Sequence, residues 1–417
     1  MNDNESKLAP GPPAALTRRE FLGRAGAAAA SVTILKPGLV RGSQANARIK
    51  IGIIGCGGRG TWIADLFRKH GGYEITAAAD YFPDRAAAFG ARLAVPASRL
   101  FSGLSGHKRL LSSGVDAVAI ESPPYFHPEQ AAAAVEAGAH VYLAKPAAVD
   151  APGCRSVLAS AEKAAGRKRA FLIDFQTRAN PIFLEAMRRV GEGALGDLVF
   201  GEAVYHADCP FEQWYDLLRE EPDKAESRLI GWGLDRALSG DMITEQDIHA
   251  LDVMNWVMGE PPLHATGNGG LKARPKIGSC WDHFVVQYQY PANVVIQFSG
   301  RQFRGHGTAE GIKNRMFGSR GVLETEYGGN VMIRGEAYFQ GGRTSDIYEQ
   351  GAAANIAEFH RMIAAGDVRN PTVAPSVRSN LIAILGRKAA VERRAVGWDE
   401  LAKDEERLQP RLEGLKD

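Results

Sequence analysis

The sequence predicts an α/β chain in two parts. An N-terminal Rossmann dinucleotide-binding domain precedes an α+β domain with a large, mostly antiparallel, open-faced sheet. Three observations carry this. Residues 51–60 read IGIIGCGGRG and fit G-x-G-x-x-G at the end of an apolar run. Apolar strand-like runs then alternate with helix-like segments to about residue 172. From Leu263 to Gln340 short alternating strands dominate instead. At 417 residues, 45% hydrophobic and 24% charged, the chain has material for two ordinary domains.

Residues 1–47 read as an export address. Thr17-Arg18-Arg19-Glu20-Phe21-Leu22 matches the twin-arginine pattern, and a short Ala-rich apolar run follows. Ala45-Asn46-Ala47 is an A-x-A cleavage site, so the mature chain is expected to begin at Arg48 in the periplasm. The run is too short and Ala-rich for a membrane span. This segment holds six basic and three acidic residues, which leaves 44 basic against 45 acidic in the body. Such a balance points away from nucleic-acid and membrane surfaces. The cysteines (Cys56, Cys154, Cys209, Cys280) are scattered and lack C-x-x-C spacing, so neither a disulfide framework nor a zinc site is expected.

The expected domains are 48–172 and 173–417. RIKIGIIG reads as a buried parallel strand, Arg59–His70 as a helix, and EITAAAD as a second strand ending on Asp80. Strand, glycines, helix, strand and terminal acid in one short unit make a dinucleotide fingerprint. Gly55 allows the tight turn, Gly57 the approach of pyrophosphate, and Gly60 the packing of helix on strand. Cys56, Gly58 and Arg59 complete the loop. Asp80 would accept from the adenosine ribose hydroxyls and repel a 2′-phosphate. Tyr81 follows where a cation would suit that phosphate. NAD is therefore expected ahead of NADP. Strand VDAVAIE, helix Pro128–Ala137 and strand His140–Leu143 continue the alternation. Their carboxyl ends bring Ser122-Pro123 and Lys145-Pro146 to the ligand crevice.

VDAVAIESPPYFHPEQAAAAVEAGAHVYLAKP resembles the Gfo/Idh/MocA family of sugar and polyol oxidoreductases. Ser122, Pro123 and His127 match its T-P-N-x-x-H turn, and Lys145-Pro146 match its E-K-P. Pro124 replaces the Asn, and Ala144 replaces the Glu. The stretch GDMITEQDIHALDVMNWVMGE, residues 240–260, reads as one long helix closed by Gly259. Glu245, His249, Asp252 and Trp256 fall on one face of it. The family's form is D-x-x-x-H-x-x-D, with Glu245 here in place of the first Asp. The resemblance implies an NAD-dependent enzyme and, through the open sheet face, a homo-oligomer.

Hydride transfer from a carbinol needs the hydroxyl proton removed, and His is the side chain nearest neutral pKa. The expected roles are His249 as acid/base, Glu245 as its orienting partner and Lys145 as donor to the reacting oxygen. Gln176, Arg178, His206, Asp208, Trp232 and Asp235 are candidate contacts for a polyhydroxylated substrate. No metal is expected.

Three functions fit. The first is an NAD-dependent oxidoreductase acting on a sugar, polyol or glycoside. The second is a redox-neutral cycle on captive NAD, as in aldose–aldose oxidoreductases or NAD-dependent glycosidases, which would reconcile export with a nucleotide cofactor. The third is a non-catalytic sugar or NAD sensor, favoured by Ala144 and Glu245 and opposed by Lys145 and His249.

Overall fold

The structure, a computed structural model, describes residues 48–417; the export segment expected at 1–47 and the expected cleavage site lie outside the described residues. The first sheet contains β1 (Ile49–Ile54), β2 (Tyr73–Asp80), β3 (Leu100–Ser102), β4 (Ala117–Ile120), β5 (His140–Ala144) and β6 (Phe171–Asp174). Their order is β3-β2-β1-β4-β5-β6, and every neighbouring pair is parallel. Parallel strands need helical crossovers, so both faces are covered. Helices Gly58–His70 and Pro83–Leu93 pack Phe67 and Phe89 toward Ile51, Ile53 and Tyr142. Helix Ile347–Ala365 returns from late in the chain to add Ile356 and Phe359 to that face. Helices His127–Glu136 and Ala151–Gly166 cover the other face with Ala131, Val135, Cys154 and Val157. The second of these starts where the Asp150 carboxylate accepts from Gly153 N–H at 2.8 Å.

Nine strands form the second sheet: β7 (Leu198–Ala207), β8 (His264–Gly270), β9 (His283–Gln289), β10 (Val295–Gln302), β11 (Gly311–Gly318), β12 (Gly321–Glu326), β13 (Asn330–Gly335), β14 (Phe339–Arg343) and β15 (Val396–Gly397). The order is β14-β13-β12-β11-β7-β10-β9-β8-β15. Only the β7–β10 pair is parallel. Helices Ile248–Met258 and Val373–Glu392 bury one face through Leu251, Met254, Ile382 and Leu385. The opposite face carries exposed Val199, Phe200 and Val285.

The helix expected over 240–260 is broken. Met242–Glu245 forms one turn, and a second helix runs Ile248–Met258. At the break Asp247 N–H reaches back five residues to the Met242 carbonyl, and His249 N–H takes the Gln246 carbonyl at 3.3 Å. The Glu245 carbonyl, to which His249 N–H would donate in an unbroken helix, is left for another donor. Apolar periodicity runs through the break because both halves are buried.

Two glycines of the loop are required by close contact. Gly55 has φ +97°, and a Cβ there would lie 2.7 Å from the Glu121 carbonyl. A Cβ on Gly60 would come within 1.8 Å of the Gly55 carbonyl oxygen, whereas Gly57 faces open space. Gly60→Ala is therefore expected to cost about 3 kcal/mol or more in denaturant unfolding. Gly57→Ala should stay within about 1 kcal/mol of the parent while weakening NAD binding, because its methyl group enters only the space left for pyrophosphate.

Candidate active site

The loop after β1 and the ends of β2 and β4 enclose a cleft of about 690 Å³, lined by Gly55, Gly57, Asp80, Tyr81, Ser122 and Pro123 among others. Asp80 stands at its edge. One carboxylate oxygen accepts Cys56 N–H at 2.7 Å and the other accepts Phe82 N–H at 2.9 Å. The acid thus fixes the loop and keeps spare acceptor capacity for ribose hydroxyls. With a bare Gly57 at the N-terminus of the helix that begins at Gly58, the donors and space fit a dinucleotide. His107 was not anticipated. It lines the cleft, and its buried Nε2 has no hydrogen-bond partner.

Several expected cofactor contacts have other partners. The Cys56 side chain is buried in the core. His127 is buried and bridges backbone, with Nε2 2.8 Å from the Ser122 carbonyl and Nδ1 2.8 Å from the Pro146 carbonyl. It positions the two turns without lining the cleft. Arg59 is committed to protein partners. Its guanidinium lies 2.9 Å from Glu121, pairs with Asp174 and donates to the Tyr348 hydroxyl at 2.8 Å. Two buried carboxylates outcompete a solvated site for that cation.

Lys145, at the end of β5, spans the two sheets. Its ammonium donates to the Glu245 carbonyl at 2.6 Å and to Glu245 Oε1 at 3.1 Å. Glu245 therefore does not orient His249, as the sequence suggested. Its second oxygen is buried without a partner, and so is His249 Nδ1. The His249 ring packs against Tyr327 and Phe175, with centroids 5.4 and 6.5 Å away. Burial, with Lys145 and Arg59 nearby, holds its pKa well below the ordinary value, so the imidazole is neutral. Burial raises the Glu245 carboxyl against the pull of Lys145. Glu121 is pushed up to about 7, chiefly by burial.

The expected substrate contacts divide. Gln176 is fully buried beside the site and donates to Asp174 at 3.0 Å. His206 lies on β7, 3.0 Å from the Ser299 hydroxyl, and exposed Asp208 pairs with Arg301 at 3.5 Å. Trp232 lines the cofactor cleft instead. Arg178 and Asp235 are structural. Arg178 donates twice to the Asp252 carboxylate, at 2.8 and 2.9 Å, because both groups are buried and need each other. Asp235 caps helix Arg236–Ser239 and pairs with Arg228 at 2.9 Å. The sequence reading also missed Glu121, Asp174, Tyr327 and the Tyr205–Gln246 hydrogen bond of 2.7 Å.

Arg178→Ala should cost about 3 kcal/mol or more in urea unfolding, since it strands the buried Asp252 charge. Glu121 yields a pH prediction. Its pKa is raised from 4.5 to about 7 on folding, so the unfolded chain ionises first as pH rises. Wild-type stability relative to Glu121→Gln should therefore fall by about 3 kcal/mol between those pH values and then level off. Paired melting curves across that range check it.

Comparison with known proteins bears on the fold and the cofactor class. A family model described as "Oxidoreductase family, NAD-binding Rossmann fold" matches residues 49–169, and the "GFO/IDH/MocA C-terminal domain" model matches 183–324. Inositol 2-dehydrogenase of Rhizobium meliloti is 21% identical over 350 residues, covering 82% of this chain and 96% of that protein. Inositol 2-dehydrogenase 2 of Saccharopolyspora erythraea is 28% identical over 221 residues, 53% of this chain and 57% of its own. Among solved structures, aldose-aldose oxidoreductase from Caulobacter crescentus, complexed with glycerol, superposes with a TM-score of 0.66 at 20% identity, covering 84% of this chain and 99% of that one. Levoglucosan dehydrogenase with NADH and levoglucosan gives 0.67 at 17% identity, with the same coverage. The two family models together span more than half of the chain, which belongs to the Gfo/Idh/MocA family of NAD-binding oxidoreductases.

Proposed function

We propose that the chain oxidises a secondary hydroxyl of a sugar, polyol or glycoside, with His249 and Lys145 as the reacting polar groups. The carrying observation is their placement. Lys145 reaches from the end of β5 to the helix break, four residues before the neutral His249, whose buried Nδ1 has no partner. Bound NAD supplies the hydride acceptor. Lys145 spends two donors on Glu245, and its third N–H is free for the reacting oxygen. His249 takes the hydroxyl proton, and a neutral imidazole is the form able to do so. Gly55, Gly57, Asp80 and the Ser122-Pro123 turn hold the dinucleotide. The inositol, aldose and levoglucosan enzymes among the relatives support a polyhydroxylated substrate.

The redox-neutral reading on captive NAD is favoured by a second observation. The segment after β7 places Leu229 and Trp232 over the cofactor cleft. The Tyr81 hydroxyl donates to Glu226 of that segment at 3.0 Å and accepts Lys416 N–H of the C-terminal tail at 3.2 Å. Both coverings meet beside Asp80, where they would hinder escape of the adenosine end. Export of the folded, loaded protein by the twin-arginine route, and pairing of two chains through the open sheet face, complete this reading.

Denaturing the purified chain and identifying released nucleotide by mass tests it. About one NAD(H) per chain is expected for a captive cofactor, whereas empty protein would refute that reading. Turnover is to be followed as NADH absorbance with myo-inositol, D-glucose and levoglucosan. His249→Ala should retain NAD and lose about a hundredfold or more in kcat. A variant that keeps its rate would remove His249 from the mechanism.

A further inference from the structure

Three strand ends of the first sheet lie side by side. Ala144 is opposite Asp174 in the β5–β6 pair. One residue beyond the Ile120–Leu143 pair, the same Ala144 stands beside Glu121. The alternation of side chains puts all three on the face covered by helix Gly58–His70. The row therefore reads acid, alanine, acid. Arg59 spans it, with its guanidinium on Glu121 at one end and Asp174 at the other. The Glu121 and Asp174 side chains are fully buried. Asn355 fixes Asp174 from behind at 2.8 Å. An alanine in the middle leaves the slot in which the guanidinium lies. A longer side chain there would meet it.

We propose that Arg59 and Glu121 are positioning residues of the reaction: the guanidinium, held between Glu121 and Asp174, ties the cofactor loop to the two strand ends that flank Ala144 and Lys145, and Glu121 supplies from β4 the carboxyl that position 144 on β5 lacks. The proposal rests on the oxidoreductase reading of the same site. It explains two features together. Arg59 is committed to protein partners, and the residue before Lys145 is small. It also sets a second cation beside His249, where burial and positive charge keep the ring in its basic form.

The test is a four-member cycle in the full chain: wild type, Glu121→Ala, Ala144→Glu and the double variant. Each is titrated with NADH by fluorescence and assayed with the three substrates above. Glu121→Ala is expected to lower kcat about tenfold with a smaller change in KM for NAD. Ala144→Glu alone should also lower it, because a third carboxylate crowds Arg59. The double variant should recover about half or more of the logarithmic loss, since the carboxyl has only moved one strand across. A Glu121→Ala enzyme within twofold of wild type, or a double variant no better than either single, overturns the proposal. A fall in melting temperature with kcat intact would also overturn it, by making the row purely structural. If wild type reduces NAD with none of the substrates, the oxidoreductase reading fails on its own. The NADH cycle then judges the clasp. Ala144→Glu must weaken NADH binding in wild type and strengthen it in Glu121→Ala, and simple additivity refutes it.

Discussion

The Lys145–Glu245 contact is the constraint on which the site depends. It joins the end of a parallel strand to a helix that belongs to the second sheet, and it uses a main-chain carbonyl as well as a carboxylate. A carbonyl becomes available inside a helix only where the ladder is interrupted. The break at Gln246–Asp247 is therefore what gives Lys145 its seat. It also turns His249 so that its ring packs on Tyr327 and its buried Nδ1 stays unpaired. A buried ammonium, a buried carboxyl and a buried neutral imidazole each carry a desolvation cost. Charge pairing offsets it for the first two, and neutrality spares the third.

What was legible in the sequence was local. Gly55 and Gly60 could be assigned separate duties because each answers a steric demand of the local backbone, as their close contacts show, whereas Gly57 was assigned from the room a pyrophosphate needs. The two sheets followed from period and turn chemistry. Side-chain partners were another matter. Arg178 looked like a sugar contact because its segment, just past a strand end, could reach a polyhydroxylated ligand. Asp252 meets it only after the chain folds back 74 residues later. Asp235 was readable in principle, since an Asp before a short helix closed by Gly240 is a capping pattern. The helix break had no such signal: burial on both sides of it kept the apolar period running.

Arg59 shows the same limit in its sharpest form. A cation in a glycine-rich loop invites assignment to phosphate. Its position is decided instead by two acids at the ends of β4 and β6, separated by 53 residues of sequence and one strand of sheet. Strand adjacency turns a departure at Ala144 into a requirement. A motif compares residues along one strand, whereas this charge row runs across three.

The enclosure of the cleft bears on the proposed export of a nucleotide-dependent enzyme. An open Rossmann crevice exchanges its cofactor with solvent, which suits a compartment rich in NAD. Here the acid expected to hold ribose, Asp80, is followed directly by a tyrosine whose single hydroxyl joins two distant segments. Nucleotide exchange then requires those segments to part, breaking that node and uncovering Leu229 and Trp232. Both events oppose release without adding contacts to the reacting carbon. In the proposed reading, retention and catalysis would thus be served by different residues: the chemistry at Lys145 and His249 would stay that of a dehydrogenase, while the fate of the hydride would be set by how long the cleft remains shut.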